Sequence, residues 1–293
     1  MGIFLLIGVT ALSASAIFVK LANAPSSIMA FYRIFISFWF IFIITMSKKT
    51  TREEIFSLTK KEIILGLISG VSLALHYFLW FHSLNLTSVA SATVIVTLQP
   101  LFAFVAGYFF FKERYTKLAV SGFIIAVIGS IIIGWGDFQL SGKALIGDLL
   151  SFISAGFISN YFIIGQYTRR RLSAFSWISL TYFFAFVFLG ILSYIMHIPF
   201  TGYSSKTWFN ILGLTLISTM LGQMVFTWLL KYFSATVISM TILGEAVGTC
   251  ILGYFILHET VSLQQFVGII VILLGIGIFF GKKEKLFHNI IFI

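Results

Sequence analysis

The amino-acid sequence predicts an all-α integral membrane protein whose ten transmembrane helices form two inverted five-helix repeats. Three observations lead to this prediction: the composition, the spacing of long apolar runs, and an internal repeat. Of the 293 residues, 59% are hydrophobic and only 10% are charged, and the mean hydropathy is +1.06. Soluble domains carry about 25% charged residues. The composition therefore excludes a soluble globular enzyme.

Ten apolar runs are long enough to cross a bilayer, which takes about 20 residues in a helix. They are too long and too uniformly apolar for membrane-barrel strands, which alternate over about 10 residues. Because no room is left for a sizeable water-soluble domain, a pump with its own nucleotide domain is excluded. In order, the predicted spans 1 to 10 cover residues 2–20, 28–46, 62–82, 88–111, 117–135, 145–166, 175–197, 207–231, 235–257 and 262–281.

The positive charges fall mainly on one side of the predicted membrane. With both termini in the cytoplasm, 15 of the 19 Lys and Arg residues lie in inner loops or in the C-terminal tail. This positive-inside bias predicts the orientation. It also explains the net charge of +10 without a nucleic-acid partner. The remaining four basic residues fall on the outer side: Lys20, Arg33, Lys143 and Lys206.

Two of these outer residues, Lys20 and Arg33, lie near the outer ends of their predicted spans. We expect their side chains to extend toward the water, as long basic side chains do at membrane boundaries. The alternative is an outer mouth that attracts anions. On the inner side, three consecutive arginines at 169–171 could bind anionic lipid, but an orientation signal explains them better.

The lone cysteine and the N-terminus restrict the remaining possibilities. Cys250 lies in an apolar run, so neither an internal disulfide nor a cysteine-based metal cluster is expected. No basic segment precedes the first apolar run, which is therefore predicted to be an uncleaved span. We expect a multi-pass protein of a bacterial inner membrane, with the lipid bilayer and a small-molecule substrate as partners and no cofactor. A monomer is compatible with this prediction.

The two halves of the chain match each other at an offset of 146 residues. The segment Gly107-Tyr108-Phe109 meets Gly253-Tyr254-Phe255, Glu113 meets Glu259, and Ser88 meets Ser234 in the same alignment. Spans 3–5 and 8–10 align clearly, whereas spans 1–2 and 6–7 align weakly. The match predicts one five-helix repeat over residues 1–136 and a second over residues 137–293.

Two glycine pairs also match at this offset: Gly122 with Gly268, and Gly129 with Gly275. Within each half the two glycines are seven residues apart, so they lie on one helix face. Small residues on such a face allow two helices to approach closely. The glycines therefore predict that neighbouring helices approach closely at these faces.

Five spans per half is an odd number, so the second half must enter the membrane in the opposite orientation. Inverted repeats are typical of secondary carriers, whose substrate site lies at the bilayer midplane between the halves. A channel or a membrane enzyme can also contain a repeat. The main alternative is a membrane-embedded transferase acting on a lipid-linked substrate, whose reactive groups should cluster at one membrane face. His82, His197 and His258, near the outer boundary, leave this alternative open.

A pair of short motifs occurs once in each half. The first half contains Leu98-Gln99-Pro100-Leu101 followed by Gly-Tyr-Phe-Phe-Phe-Lys-Glu at 107–113. The second contains Gly244-Glu245-Ala246 followed by Gly-Tyr-Phe-Ile-Leu-His-Glu at 253–259. These motifs resemble those of the EamA domain of the drug/metabolite transporter superfamily, and the resemblance covers nearly the whole chain as two tandem domains.

The resemblance implies a ten-helix carrier of small metabolites, often amino acids, that are commonly exported. One position departs from the family pattern. Many members have proline after the acid of the second copy, where this chain has Ala246. The departure removes the usual reason for a helix break in span 9.

Glu245 is the only acidic residue well inside a predicted span, about ten residues into span 9. A charge at the bilayer centre costs at least about 2.5–3.5 kcal/mol, so such a residue usually faces a cavity, a partner or a proton pathway. We predict that Glu245 binds substrate and couples transport to protons. The alternative is a protonated carboxyl group hydrogen-bonded to a neighbouring helix.

Gln99 occupies the position of Glu245 in the first repeat. If the repeats are symmetric, the two side chains face each other across a central cavity. Pro100 follows Gln99 and lacks a backbone N–H, so it is predicted to kink span 4 near the midplane or to bend a packed helix there.

Polar residues spaced four apart complete the predicted site. Span 8 carries a stripe at 215, 219, 223 and 227 that either lines the pathway or joins helices, and we predict lining. In span 3, Ser72, His76 and Trp80 share one face, and Asn160 in span 6 is a similar candidate. His76 could instead be a hydrogen-bonded core residue. No metal site is expected. The predicted substrate-binding residues are Glu245, Gln99, His76, Gln223, Trp80, Thr219 and Asn160.

Overall fold

The computed structural model describes residues 1–135, 142–258 and 262–281. Nine of the helices in these ranges are long and apolar enough to cross a membrane, and the helix of span 5 is a shorter apolar one. No strand occurs in the ranges described. The prediction of an all-α membrane protein with ten spans is confirmed. Spans 1 to 10 run over Gly2–Ala22, Ser26–Ser47, Lys60–Ser83, Val89–Phe110, Lys117–Trp135, Gly142–Thr168, Ala174–Ile195, Ser205–Leu229, Ala235–Leu257 and Leu263–Phe280.

Side-chain caps fix where most of these helices begin. Thr59 and Glu62 form a reciprocal capping box at the start of span 3. Ser88 and Ser234, which match at the 146-residue offset, accept a backbone N–H at the starts of spans 4 and 9. A further helix, Lys49–Phe56, lies between spans 2 and 3, where the sequence analysis predicted only a loop.

Four spans depart from a regular α-helix near their middle. Span 1 is interrupted at Ala14, and span 8 continues through a π-helical segment, Leu214–Gln223. Span 4 is interrupted before Pro100, which begins the half-helix Pro100–Phe110. Span 9 is interrupted at Leu243, immediately before Gly244, although no proline follows the acid in this chain.

The break in span 9 thus forms without the family's proline. The backbone N–H of Ala246 donates to the carbonyl of Leu243, three residues earlier, so the chain makes a tight turn at this point. Spans 4 and 9 are therefore broken at matching depths, as the repeat requires. Pro100 does more than bend span 4, since the helix is interrupted before it.

Spans 5 and 10 pack against each other in opposite directions. A Cβ atom added to Gly122 would lie 2.7 Å from the carbonyl oxygen of Gly275, and one added to Gly129 would lie 2.8 Å from that of Gly268. The earlier glycine of each helix faces the later glycine of the other, which only antiparallel helices allow. The predicted close approach therefore occurs between the two halves, and it relates them as inverted repeats.

The weakly aligned spans follow the same symmetry. Span 3 packs on span 6, where the Ser154 hydroxyl lies 2.8 Å from Nδ1 of His76. Their counterparts, spans 8 and 1, pack together through Leu12 and Gly222. Spans 2 and 7, which are counterparts in the two halves, also pack against each other. The predicted boundary between residues 136 and 137 lies outside the described residues and stays a prediction.

Candidate functional site

A cavity lies between the two halves of the bundle. It contains about 350 Å³ of space not occupied by atoms, part of it open to solvent. Five of its wall residues come from the predicted site: Gln99, Glu245, His76, Gln223 and Trp80. The full lining consists of Leu12, Arg33, His76, Tyr77, Trp80, Val96, Thr97, Gln99, Ile158, Phe162, Gln223, Ile242 and Glu245.

Gln99 and Glu245 reach the cavity from the two broken spans. Gln99 caps the half-helix Pro100–Phe110, and Glu245 lies in the first turn of the half-helix Gly244–Leu257. The N-terminus of a helix carries partial positive charge and stabilises a nearby anion. The break in span 9 therefore places the Glu245 carboxyl group at the start of a half-helix, on the wall of the cavity.

His76 and Trp80 form an aromatic wall on span 3. Their rings stack with centroids 5.9 Å apart and an angle of 16° between the planes. The hydroxyl of Ser154 lies 2.8 Å from Nδ1 of His76. This contact fixes the orientation of the imidazole ring.

Arg33 does not extend toward the water, so the expectation for this residue was wrong. Its side chain is fully buried and lines the cavity. Nε donates to the hydroxyl of Thr219 at 2.6 Å, and Nη1 donates to the hydroxyl of Ser15 at 3.1 Å. Ala30 and Ser37 lie on the same helix face as Arg33 and are fully buried. These small residues, three before and four after Arg33, are the sequence signal that this face of span 2 packs against other helices.

Two predicted site residues do not line the cavity. Thr219 lies behind Arg33 and holds it through the hydrogen bond to Nε. Asn160 donates to the hydroxyl of Ser72 at 2.8 Å, which joins spans 6 and 3. For both residues, the polar group is satisfied by a neighbouring helix.

The polar stripe of span 8 faces protein along its length, with all four side chains buried. Gln223 alone lines the cavity. Thr215 donates back to the carbonyl of Ile211, and Thr227 lies 2.9 Å from the hydroxyl of Tyr161. The prediction of pathway lining therefore applies to Gln223. Thr219 and Thr227 contact neighbouring spans, and Thr215 bonds within its own span. The reason is that the π-helical segment changes which residues share a face.

Four cavity side chains carry buried polar atoms without a hydrogen-bond partner. These atoms are the hydroxyl oxygen of Tyr77, Nε1 of Trp80, Oε1 of Gln99 and Nε2 of Gln223. All four side chains are at most 3% exposed. A buried polar atom without a partner costs about 1–3 kcal/mol. A polar ligand or ordered water in the cavity would remove this cost.

Beneath the cavity, polar contacts join the two halves at the predicted inner face. The Glu113 carboxylate accepts from the Thr236 hydroxyl at 3.0 Å and from the Gln166 amide at 3.2 Å. Glu54 accepts from the backbone N–H of Ser173 at 2.8 Å. Although burial opposes it, hydrogen bonding from Ser176 and Ser173 lowers the pKa of Glu54 below its ordinary value. These contacts hold the inner ends together. The predicted match of Glu113, Glu259, lies outside the described residues.

A polar cavity between the inverted halves of a ten-span bundle is the architecture of a membrane transporter. Comparison with known proteins agrees, since the model of the EamA-like transporter family matches residues 1–135 and 145–281. The chain belongs to this family, and the resemblance seen in the two motifs is confirmed.

Full-length relatives and a solved structure extend the comparison. "Uncharacterized transporter YxxF" of Bacillus subtilis is 23% identical over 89% of this chain and 83% of its own length. A transporter of Archaeoglobus fulgidus is 27% identical over 83% of this chain and 84% of its own. One crystal structure matches 97% of this chain and 98% of its own with a TM-score of 0.76 and 14% identity, which shows a shared fold.

Proposed function

We propose that this transporter is a secondary carrier that exports a small polar metabolite, with an amino acid as the favoured substrate. Transport proceeds by alternating access around the cavity. The observation that carries the proposal is the convergence of Gln99 and Glu245, each at a helix interruption, on one cavity between the inverted halves. Interrupted spans at the repeat interface are a common setting for substrate and coupling-ion sites in carriers.

In this proposal the cavity residues contact the substrate directly: Glu245, Gln99, His76, Gln223 and Trp80. Thr219 and Asn160 act indirectly, because their polar groups are engaged by Arg33 and Ser72. Glu245 is the proton-coupling group, since its carboxyl group lines a polar cavity and can exchange a proton with either side in turn. Two repeats, residues 1–136 and 137–293, move against each other, in a bacterial inner membrane with both termini cytoplasmic.

The alternative of a membrane-embedded transferase requires reactive groups at one membrane face. Gln99 and Glu245 instead lie near the middle of their spans, at the eleventh of the 22 residues of span 4 and the eleventh of the 23 residues of span 9. The position supports a carrier. A channel would share the cavity but would show no saturable exchange.

Counterflow tests the proposal directly. Proteoliposomes are preloaded with each of the 20 amino acids in turn, and uptake of the same labelled amino acid from outside is followed. We expect saturable counterflow for at least one amino acid and none in protein-free liposomes. Failure of every amino acid to give counterflow, or uptake that never saturates, would contradict the proposal.

A further inference from the structure

Arg33 is a fully buried cation held in place by neutral groups from three other spans. Thr219 of span 8 and Ser15 of span 1 accept its hydrogen bonds. The ring of Tyr77, on span 3, lies under the guanidinium with its centroid 4.0 Å from Cζ. These contacts orient the group firmly but do not neutralise its charge.

No carboxylate in the described part of the chain lies within 4.0 Å of the Arg33 guanidinium. A buried charge without a close counter-charge is costly. Glu245 lines the same cavity, yet the two groups form no direct ion pair. The cavity therefore presents a cation and an anion separately.

Further hydrogen-bond donors line the cavity that contains the cation. The guanidinium has five N–H donors and no acceptor, and the hydrogen bonds to Thr219 and Ser15 engage only Nε and Nη1. Trp80 adds a buried indole N–H with no partner in the protein. An indole N–H can only donate. This part of the cavity therefore matches an anionic acceptor.

We propose that Arg33 is the residue that selects the substrate's carboxylate, which its guanidinium binds while Glu245 and Gln99 receive the substrate's ammonium group. The inference rests on the proposed function and adds a requirement to it. A transported molecule must carry both charges. Charge-assisted hydrogen bonds from Arg to a carboxylate are short and strong, so removal of the carboxylate should cost more than any change in the apolar side chain.

The π-helical segment of span 8 positions Arg33. The Thr219 hydroxyl donates to the carbonyl of Leu214, five residues earlier, at 3.1 Å while its oxygen accepts from Nε of Arg33. Isolated π-helical turns within α-helices often occur at functional sites. Thr219 is therefore a positioning residue, which orients the guanidinium without contacting the substrate.

A matched series of competitors tests the role of Arg33 in the wild-type protein. The amino acid with the strongest counterflow is compared with the amine that lacks its carboxylate and with the acid that lacks its amino group. The loss of a hydrogen-bonded charge weakens binding about 10- to 100-fold. We expect both analogues to compete at least about 10-fold more weakly than the amino acid. Competition by the amine within about threefold of the amino acid would overturn the inference.

Variants of the protein test whether Arg33 causes the preference for the amino acid over its amine. In Arg33→Gln the advantage of the amino acid over its amine should disappear, whereas a preserved advantage would contradict the assignment. Should Arg33→Gln fail to fold, Thr219→Val serves in its place. We expect Thr219→Val to raise KM about 10-fold with kcat little changed, and Thr219→Ser to restore it. An unchanged KM in Thr219→Val would contradict the positioning role.

The proposed function and this inference fail in different ways. Absence of counterflow by every amino acid contradicts both. Saturable counterflow in which the amine competes as well as the amino acid contradicts only the role of Arg33. Saturable counterflow with loss of competition by the amine supports both.

Discussion

At the scale of the residue, individual polar side chains within apolar spans carried most of the information about the site. Glu245 was identified by its depth in span 9, and Gln99 by the 146-residue offset. Their meeting in one cavity with His76 and Gln223 follows from the symmetry of the fold. Each of these groups needs a polar environment that hydrocarbon cannot supply, so a shared cavity satisfies all of them.

Arg33 shows where sequence reasoning failed at this scale. Its position near a predicted helix end suggested contact with water, because a long basic side chain can extend to the membrane surface. Its real neighbours, Ser15 and Thr219, lie 18 and 186 positions away in the chain. Contacts of this kind depend on how spans 1, 2 and 8 pack, and one sequence does not reveal that packing.

The first prediction concerns Glu245. Glu245→Gln keeps the shape of the side chain but can neither carry a negative charge nor exchange a proton. We expect net transport to fall at least about 10-fold and the pH dependence of transport to flatten, while expression and thermal stability stay near those of the wild type. Uptake by proteoliposomes across a range of pH measures both effects.

Glu53→Gln provides the matched control, since the Glu53 side chain is exposed on the helix Lys49–Phe56 and lies 3.9 Å from Nζ of Lys49. An exposed ion pair of this kind contributes little to stability. The rate of transport by Glu53→Gln should equal that of the wild type. Normal uptake with an unchanged pH profile in Glu245→Gln would refute the proton-coupling role.

At the scale of the element, the sequence predicted the position of each span, but it predicted only some of the interruptions within them. Apolar runs define the spans because a helix must bury about 20 residues in hydrocarbon. The break before Pro100 could be anticipated from the missing N–H. The break at Leu243 and the π-helical segment Leu214–Gln223 carry no such local signal. They are set by tertiary contacts, such as the hydrogen bond from Arg33 to Thr219.

The second prediction concerns the contact of spans 5 and 10. A Cβ atom at Gly275 would lie 2.5 Å from the backbone nitrogen of Ala126 and 2.7 Å from the carbonyl oxygen of Gly122. Backbone atoms cannot yield as a flexible side chain can. We therefore expect Gly275→Leu to lower stability by at least about 1–3 kcal/mol, the usual cost of overpacking. Thermal melting of the detergent-solubilised protein measures the change.

Gly277→Leu is the control on the same helix, because a Cβ atom there meets nothing within 4 Å. Leucine favours a helix more than glycine does, so this variant should melt at or above the wild-type temperature. Equal melting temperatures for the two leucine variants would show that spans 5 and 10 do not approach as closely as described.

At the scale of the whole molecule, the inverted repeat explains both the architecture and the position of the site. The sequence alignment was clear only for spans 3–5 and 8–10. The packing of span 1 on span 8 and of span 6 on span 3 extends the symmetry to the parts where the sequence match is weak. The reason is physical, since equivalent helices can keep their packing after most of their side chains have changed.

The third prediction concerns orientation in the membrane. The distribution of Lys and Arg places both termini and the loop that contains Ser57 in the cytoplasm. In a Cys250→Ala background, Ser57→Cys should react with a membrane-impermeant thiol reagent only after the cells are opened. Thr201→Cys, in the loop between spans 7 and 8, should react in intact cells. Ser57 and Thr201 are both exposed, so access depends on the side of the membrane.

Labelling of Ser57→Cys from outside intact cells would reverse the predicted orientation. The ten-span count would survive that result, because a reversal exchanges the two faces without changing the number of crossings. Labelling of both positions from the same side would instead contradict the count.

Substrate protection of a cavity cysteine tests the central claim, that the space between the inverted halves is the transport pathway. In a Cys250→Ala background, cysteine replaces Gln99, Gln223, His76 or Glu245 in turn, and a small water-soluble thiol reagent is added to proteoliposomes. We expect at least Gln99→Cys and Gln223→Cys to react, and the amino acid that gives counterflow to slow their reaction. If all four cysteines stay inert, or react at a rate that the substrate does not change, the cavity is not the pathway.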